Sequence, residues 1–328
     1  MHELFDHDTA TGFATRRASA LKFKPLTVVS DRSAIMKAAA IAAGLVLGLL
    51  LARLALAGAS IGIPEVALLI GAILASVWTQ HAIAEEIHDG VHFRVLSNAR
   101  RNDLLCSVYA SMIGVEFLNF RRDHSLHHRF FGSPRDPDYV KYVQAPRGLG
   151  GWVRYLGLYF SGLAAVQRLI DRRPSEEPKA APVGFLKQHP HGTAVAQLCL
   201  LGIGAVLVHP VWYFICWIGP LLTITYGITQ LRTMLEHWSG EDWIDPKTGE
   251  RRTGALFNLQ GGLQRNLFAA QFGYNYHGSH HILPAIPNTN LERTAEEMRD
   301  YPFEGSLPIR TMTYAARIKD VIRRSVAT

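Results

Sequence analysis

Residues Ala38 to Ala84 read AAAIAAGLVLGLLLARLALAGASIGIPEVALLIGAILASVWTQHAIA, and this stretch decides the class of fold. It is predominantly apolar, its charged or titratable residues being Arg53, Glu65 and His81, and Gly62 and Pro64 break it near its middle. Each half approaches the ~20 residues that a helix needs to cross hydrocarbon. Arg53 and Glu65 both fall beside the break, where long side chains reach the bilayer surface. Two spans are predicted, at about 38–60 and 66–84.

A second apolar block, Thr193 to Ile228, is interrupted by His209 and Pro210 and predicts two shorter spans at about 193–208 and 211–228. The loops near Ser60 and His209 contain no Lys or Arg, whereas the N-terminal residues, the stretch from Arg94 to Lys187 and the tail are rich in both. The positive-inside rule then places those three regions in the cytosol. Leu104 to Phe120 and Gly151 to Ile170 are apolar but studded with aromatics and flanked by arginines, as interfacial helices are. Asp171 to Lys179, with Pro174 and Pro178 among charges, reads as a flexible connection.

The expected architecture is therefore all-α: a multi-pass membrane protein with four transmembrane helices in two hairpins, interfacial helices and a cytosolic histidine-rich cap. Residues 1–37 form a cytosolic arm, 38–290 the membrane domain and 291–328 a cytosolic tail. The arm is too long and too charged for a cleavable signal. A net charge of +7 suits nucleic acid or an anionic membrane face, and the apolar blocks, in a chain that is 48 % hydrophobic, decide for the membrane. More arginine than lysine and abundant alanine point to a bacterial cytoplasmic membrane. Three separate cysteines, Cys106, Cys199 and Cys216, form neither a metal pair nor a disulfide framework.

Nine of the fifteen histidines fall into four groups: His88 and His92; His124, His127 and His128; His237; and His277, His280 and His281. On a helix, HxxxH and HxxHH each turn their imidazoles to one face. At this histidine content HxxxH should arise about 0.7 times by chance and HxxHH roughly 0.03 times. Two copies of HxxHH therefore exclude coincidence, while His88 with His92 alone would mean little. All four groups lie on the predicted cytosolic side, as the ligands of one site must. Nine neutral imidazoles exceed what one ion accepts, so two metals are implied, and nitrogen donors alone leave iron, zinc and copper open.

Four strings carry a resemblance: His88-Asp-Gly-Val-His92; Asp123-His124-Ser-Leu-His127-His128 with Asp136-Pro137-Asp138; Arg232-Thr-Met-Leu-Glu236-His237; and Asn275-Tyr-His277-Gly-Ser-His280-His281-Ile-Leu-Pro284. In order and spacing, from Ile61 to Pro287, they resemble the membrane fatty acid desaturase and hydroxylase superfamily. The resemblance implies a non-haem diiron centre with the nine histidines as ligands, dioxygen as co-substrate and a lipid-like substrate taken from the bilayer. A His-Pro-Gly-Gly haem motif is missing, His189-Pro190-His191-Gly192 being the nearest string. Electrons are then expected from a separate ferredoxin or cytochrome donor, and no nucleic acid partner is expected.

Desaturation of an acyl chain is the expected reaction. Its rivals are a hydroxylase or ketolase acting on a carotenoid, alkane or sphingoid chain, and a desaturase of a small specialised metabolite. A non-enzymatic metal carrier or haem protein would want polar ligands deep in its spans, which are nearly free of them. Asp89, Asp123, Glu236 and Asn275 adjoin ligands and are candidates to hold imidazole N–H groups. His81 shares a helical face with His88, and a polar residue ending the span is its plainer reading. His2, His7, His189, His191 and His209 are read as structural or surface residues.

Overall fold

The computed structural model describes residues 22–58, 60–170, 191–245, 248–262, 271–299 and 309–326. His2, His7 and His189, most of the N-terminal arm and the connection Asp171 to Lys179 lie outside them. The chain is mostly helical. Helices α1 (Asp31–Ala55) and α2 (Ile63–Val91) are long and apolar enough to cross a membrane, as is α8 (Tyr213–His237), which is wound as π-helix over Tyr213–Ile218 and Leu221–Thr225. Between α2 and α8 lie α3 (Ala99–Met112), α4 (Phe117–Phe130), α5 (Gly148–Phe160), α6 (Leu163–Ile170) and α7 (Gly192–Leu207).

The outer faces of these helices carry what a lipid solvent wants. Ile35, Val46, Leu47, Leu50 and Leu54 on α1, Ile70 and Leu74 on α2, and Leu198 and Val206 on α7 are all exposed. The faces between helices carry small residues instead. A methyl group on Gly44 would lie 2.5 Å from Thr79 Oγ1, and one on Gly48 would lie 3.3 Å from Ser76 Oγ, so α1 and α2 approach closely, running antiparallel. The Gln80 amide is satisfied between helices. Gln80 donates to the Trp217 carbonyl in the π-wound part of α8 (2.8 Å) and accepts from Thr225 Oγ1 (2.6 Å), tying α2 to α8.

The observed helices outrun the predicted spans. Helix α1 starts at Asp31 because Ser30 caps it and because Lys37 is buried against Glu86 Oε1 (2.8 Å) and Asn288 Oδ1 (2.6 Å). Helix α2 continues past Ala84 through Glu85, Glu86, His88 and Asp89, and α8 continues past Ile228 to His237. Hydropathy marks only lipid-facing turns, while these polar turns are enclosed by the rest of the chain. Helix α7, at 16 residues, spans only ~24 Å, and α3 and α4 meet at 99°, so they form no single straight crossing.

Two small sheets, absent from the sequence-based expectation, complete the fold. Strands β1 (Asp242–Ile244) and β2 (Arg251–Thr253) pair antiparallel; β3 (Leu256–Gln260) and β4 (Ile309–Thr313) pair parallel. After β3 come α9 (His277–Ile282) and α10 (Leu291–Met298), and β4 leads into α11 (Tyr314–Val326). No break in packing occurs at residue 290. Leu291, Ala295 and Met298 share a core with Phe23, Leu26, Tyr274 and Ile286, and the Arg317 guanidinium of α11 lies 3.8 Å over Phe257 of β3. The described residues of the tail thus pack on the body that holds the histidines.

Candidate metal centre

Helix α2 delivers His88 from its last turn and His92 from its C-cap. Its exit is built from a hydrogen-bond pair, Phe93 N–H to Gly90 O (3.0 Å) and Arg94 N–H to Asp89 O (3.1 Å), with Phe93 at φ 59° in the left-handed position usually given to glycine. The Arg121 guanidinium, 4.0 Å from the Phe93 ring centroid, covers that strained residue. The same guanidinium donates to the Gly90 and Val91 carbonyls (3.0 and 3.1 Å) and pairs with buried Asp103. One side chain of α4 therefore satisfies the end of α2 and anchors α3. Gly90 is required between the two histidines because a methyl group there would collide with Cys106 Sγ of α3.

His124, His127 and His128 project from α4, His237 ends α8, and His277, His280 and His281 ride on α9. A floor of β3 holds α9: Asn258 accepts from Ser279 N–H (3.0 Å) and donates to Ser279 Oγ (2.9 Å). Gly278 allows this contact, since a methyl group on it would lie 2.9 Å from Ile309 Cγ2.

Eight of the nine rings gather into two groups of four, His92, His124, His128 and His280 in the first and His127, His237, His277 and His281 in the second. Within each group the candidate ligand atoms all lie within 4.8 Å of one another. His88 belongs to neither set but abuts the first, its ring 4.2 Å from His124 and 4.7 Å from His280, and Tyr274 backs it at 4.3 Å. His81, two turns earlier, is buried apart from both groups. His191 and His209 are exposed, and His209 Nδ1 accepts locally from Val211 N–H.

Burial holds His277, His280 and His281 well below the ordinary histidine range, with neighbouring imidazoles adding to the effect. His92 is pushed down to about 3, by burial first and then by the charges of Arg94 and Arg121. These four rings are therefore neutral near pH 7, the state that binds metal. Buried nitrogens of His88, His92, His237, His277 and His280 have no hydrogen-bond partner. Unpaired buried polar atoms are costly in a folded protein. His124 Nε2 lies 2.9 Å from His128 Nε2, and His277 Nε2 lies 3.1 Å from His281 Nε2. Two nitrogens bound at about 2.1 Å lie roughly 3.0 Å apart at a right angle and roughly 3.4 Å apart at the tetrahedral angle. An imidazole hydrogen bond gives a similar spacing, so it is the assembly of four rings in each group that favours a metal.

The four polar residues expected to hold imidazoles behave differently from one another. Glu236 Oε2 is 3.9 Å from His277 Nε2, while its other oxygen accepts from Arg232 (2.6 Å). Asp89 accepts from the Tyr274 hydroxyl (3.0 Å) and from Asn288 N–H, and so reaches His88 only through the Tyr274 ring. Among the described residues, Asp123 and Asn275 make no hydrogen bond to an imidazole. The Asp123 side chain is 42 % exposed and pairs with Arg122, and Asn275 donates to the Leu259 carbonyl (2.9 Å). Adjacent residues on a helix point away from each other, so adjoining a ligand is poor evidence of touching it.

The strongest contact to an imidazole comes from Asp136, both of whose oxygens lie 2.9 Å from His127 Nδ1. The Tyr142 hydroxyl and the Asp138 N–H hold this carboxylate in place. Its only sequence signal was the Asp136-Pro137-Asp138 string, to which no contact could be assigned in advance. Asn258 carried no signal at all.

Fold and site together define a membrane protein with two buried histidine pockets, each fit for a metal ion. Residues 64–313 match the sequence profile of the fatty acid desaturase family, and the chain belongs to that family. Membership makes it an oxidoreductase of lipid chains, and the donor set suits the non-haem iron pair for which the family is known. Comparison with curated proteins finds no match.

Proposed function

We propose that the chain catalyses oxygen-dependent desaturation of an acyl chain or similar lipid-like substrate. One observation carries the reading: four separate segments bring eight imidazoles into two adjoining groups of four, beside His88, in a member of the fatty acid desaturase family. His92, His124, His128 and His280 would hold one iron and His127, His237, His277 and His281 the other, with His88 as the ninth ligand. Two irons bound there would supply dioxygen reduction and hydrogen removal from an unactivated carbon.

The chain's own residues supply position and dryness. Burial favours the neutral form of His92, His277, His280 and His281, Asp136 engages Nδ1 of His127, and Asp89 fixes Tyr274 against His88. The substrate loses two hydrogens, which with two electrons and two protons convert dioxygen to two waters. A separate ferredoxin or cytochrome brings the electrons. The histidine-bearing end lies in the cytosol, as Arg94, Arg100, Arg101, Arg122 and Arg129 around it support, while the loops at the far end near Ser60 and His209 lack Lys and Arg.

Lipid and metabolite profiling of cells expressing the chain tests this, with His128→Ala as the membrane-bound control. A product lighter by two hydrogens is expected. A product heavier by one oxygen would make the chain a hydroxylase, and profiles identical to the control would overturn the reading.

A further inference from the structure

We propose that the two histidine groups are unequal: the one containing His127 takes metal first and holds it more tightly, because Asp136 is a positioning residue for its ligand. This rests on the reading that both groups hold metal.

In the second group, the carboxylate engages Nδ1 of His127 and leaves Nε2 free to face an ion. Asp136 cannot swing away. Its oxygens also accept from the buried Tyr142 hydroxyl and from Asp138 N–H at 2.8 Å, and the Tyr142 oxygen in turn accepts from Gly132 N–H at 2.8 Å. The Tyr142 ring stacks on Phe131 at 5.3 Å. A carboxylate on the far nitrogen fixes the tautomer and raises the basicity of the metal-facing one. Glu236, 3.9 Å from His277, brings a second carboxylate to the same group, partly offset by Arg232.

The first group has no such support. Among the described residues, no carboxylate oxygen lies within 4 Å of a nitrogen of His92, His124, His128 or His280, and their only hydrogen bond joins His124 to His128. Both nitrogens of His280 are buried without partners. The two ligand sets are chemically similar, and the anchored carboxylate that only the second carries is what a dication would discriminate.

Titration of the metal-free full chain with Co2+ under anaerobic conditions, followed by ligand-field absorption and metal analysis, tests this. Two equivalents should bind in two steps separated by at least about tenfold. Asp136→Asn keeps an acceptor for the Nδ1 proton and removes the charge, and should weaken the tighter step by about 10–100-fold while leaving the other unchanged. Tyr142→Phe should act in the same direction to a smaller extent. Two equivalents bound with equal affinity, or an Asp136→Asn effect on the weaker step or on neither, overturns the inequality and leaves the two-metal site standing. Fewer than two equivalents bound by the unaltered chain overturns the two-metal reading itself.

Discussion

Arg121 shows how a single side chain can set the geometry of a metal pocket without touching it. Its guanidinium occupies the point where α2 ends, α3 passes and α4 carries the HxxHH histidines, and it satisfies two helix-end carbonyls and the buried Asp103 carboxylate together. Removing one partner of a buried pair leaves the other charged and unsolvated, so Arg121→Ala should destabilise the protein by about 3–5 kcal/mol. Adding Asp103→Ala to that variant should recover part of the loss, as read by thermal unfolding in detergent. Equal losses in the single and double variants would show that the carbonyl contacts, and not the ion pair, dominate.

At the scale of elements, α9 matters most, because six residues carry three imidazoles and too few turns to stand alone. The parallel pair β3 and β4 supplies the missing stability, with Asn258 clamping Ser279 from beneath. Asn258→Ala would strand the buried Ser279 N–H and hydroxyl at a cost of about 2–4 kcal/mol. Metal analysis of the purified variant should show reduced occupancy, with helix content by circular dichroism nearly unchanged. Full occupancy in that variant would mean that the metal, and not the strand, orders α9. Neither sheet was legible beforehand: three- to five-residue strands with no alternation to speak of give hydropathy nothing to detect.

The molecule as a whole buries imidazoles that an unfolded chain would expose. His92 at about 3, and His277, His280 and His281 well below their ordinary value, refuse protons that the unfolded state takes up near pH 6.5. Protons therefore bind preferentially to the unfolded state below that pH. Stability and metal retention should be complete above about pH 6.5 and fall steadily as the pH drops toward 3. Melting temperature and bound metal measured from pH 7.5 to 5 check this, and a melting temperature that rises on acidification would contradict it. Chelation at pH 7.5 should lower the melting temperature too, since an ion that binds only the folded chain stabilises it.

The amino-acid sequence alone determined the membrane class, the near positions of the long helices and all eight of the grouped histidines, because hydrocarbon length and imidazole spacing along a helix are local properties. How those imidazoles divide depends on three-dimensional packing: His124 and His128 go to one group while His127 goes to the other, although all three share one helix. That packing also placed Asp136 against His127, with Tyr142 holding that carboxylate, and Asn258 beneath the helix that carries three of them. Those choices depend on which distant segments meet across the packed interior, and spacing along the chain carries no record of such meetings.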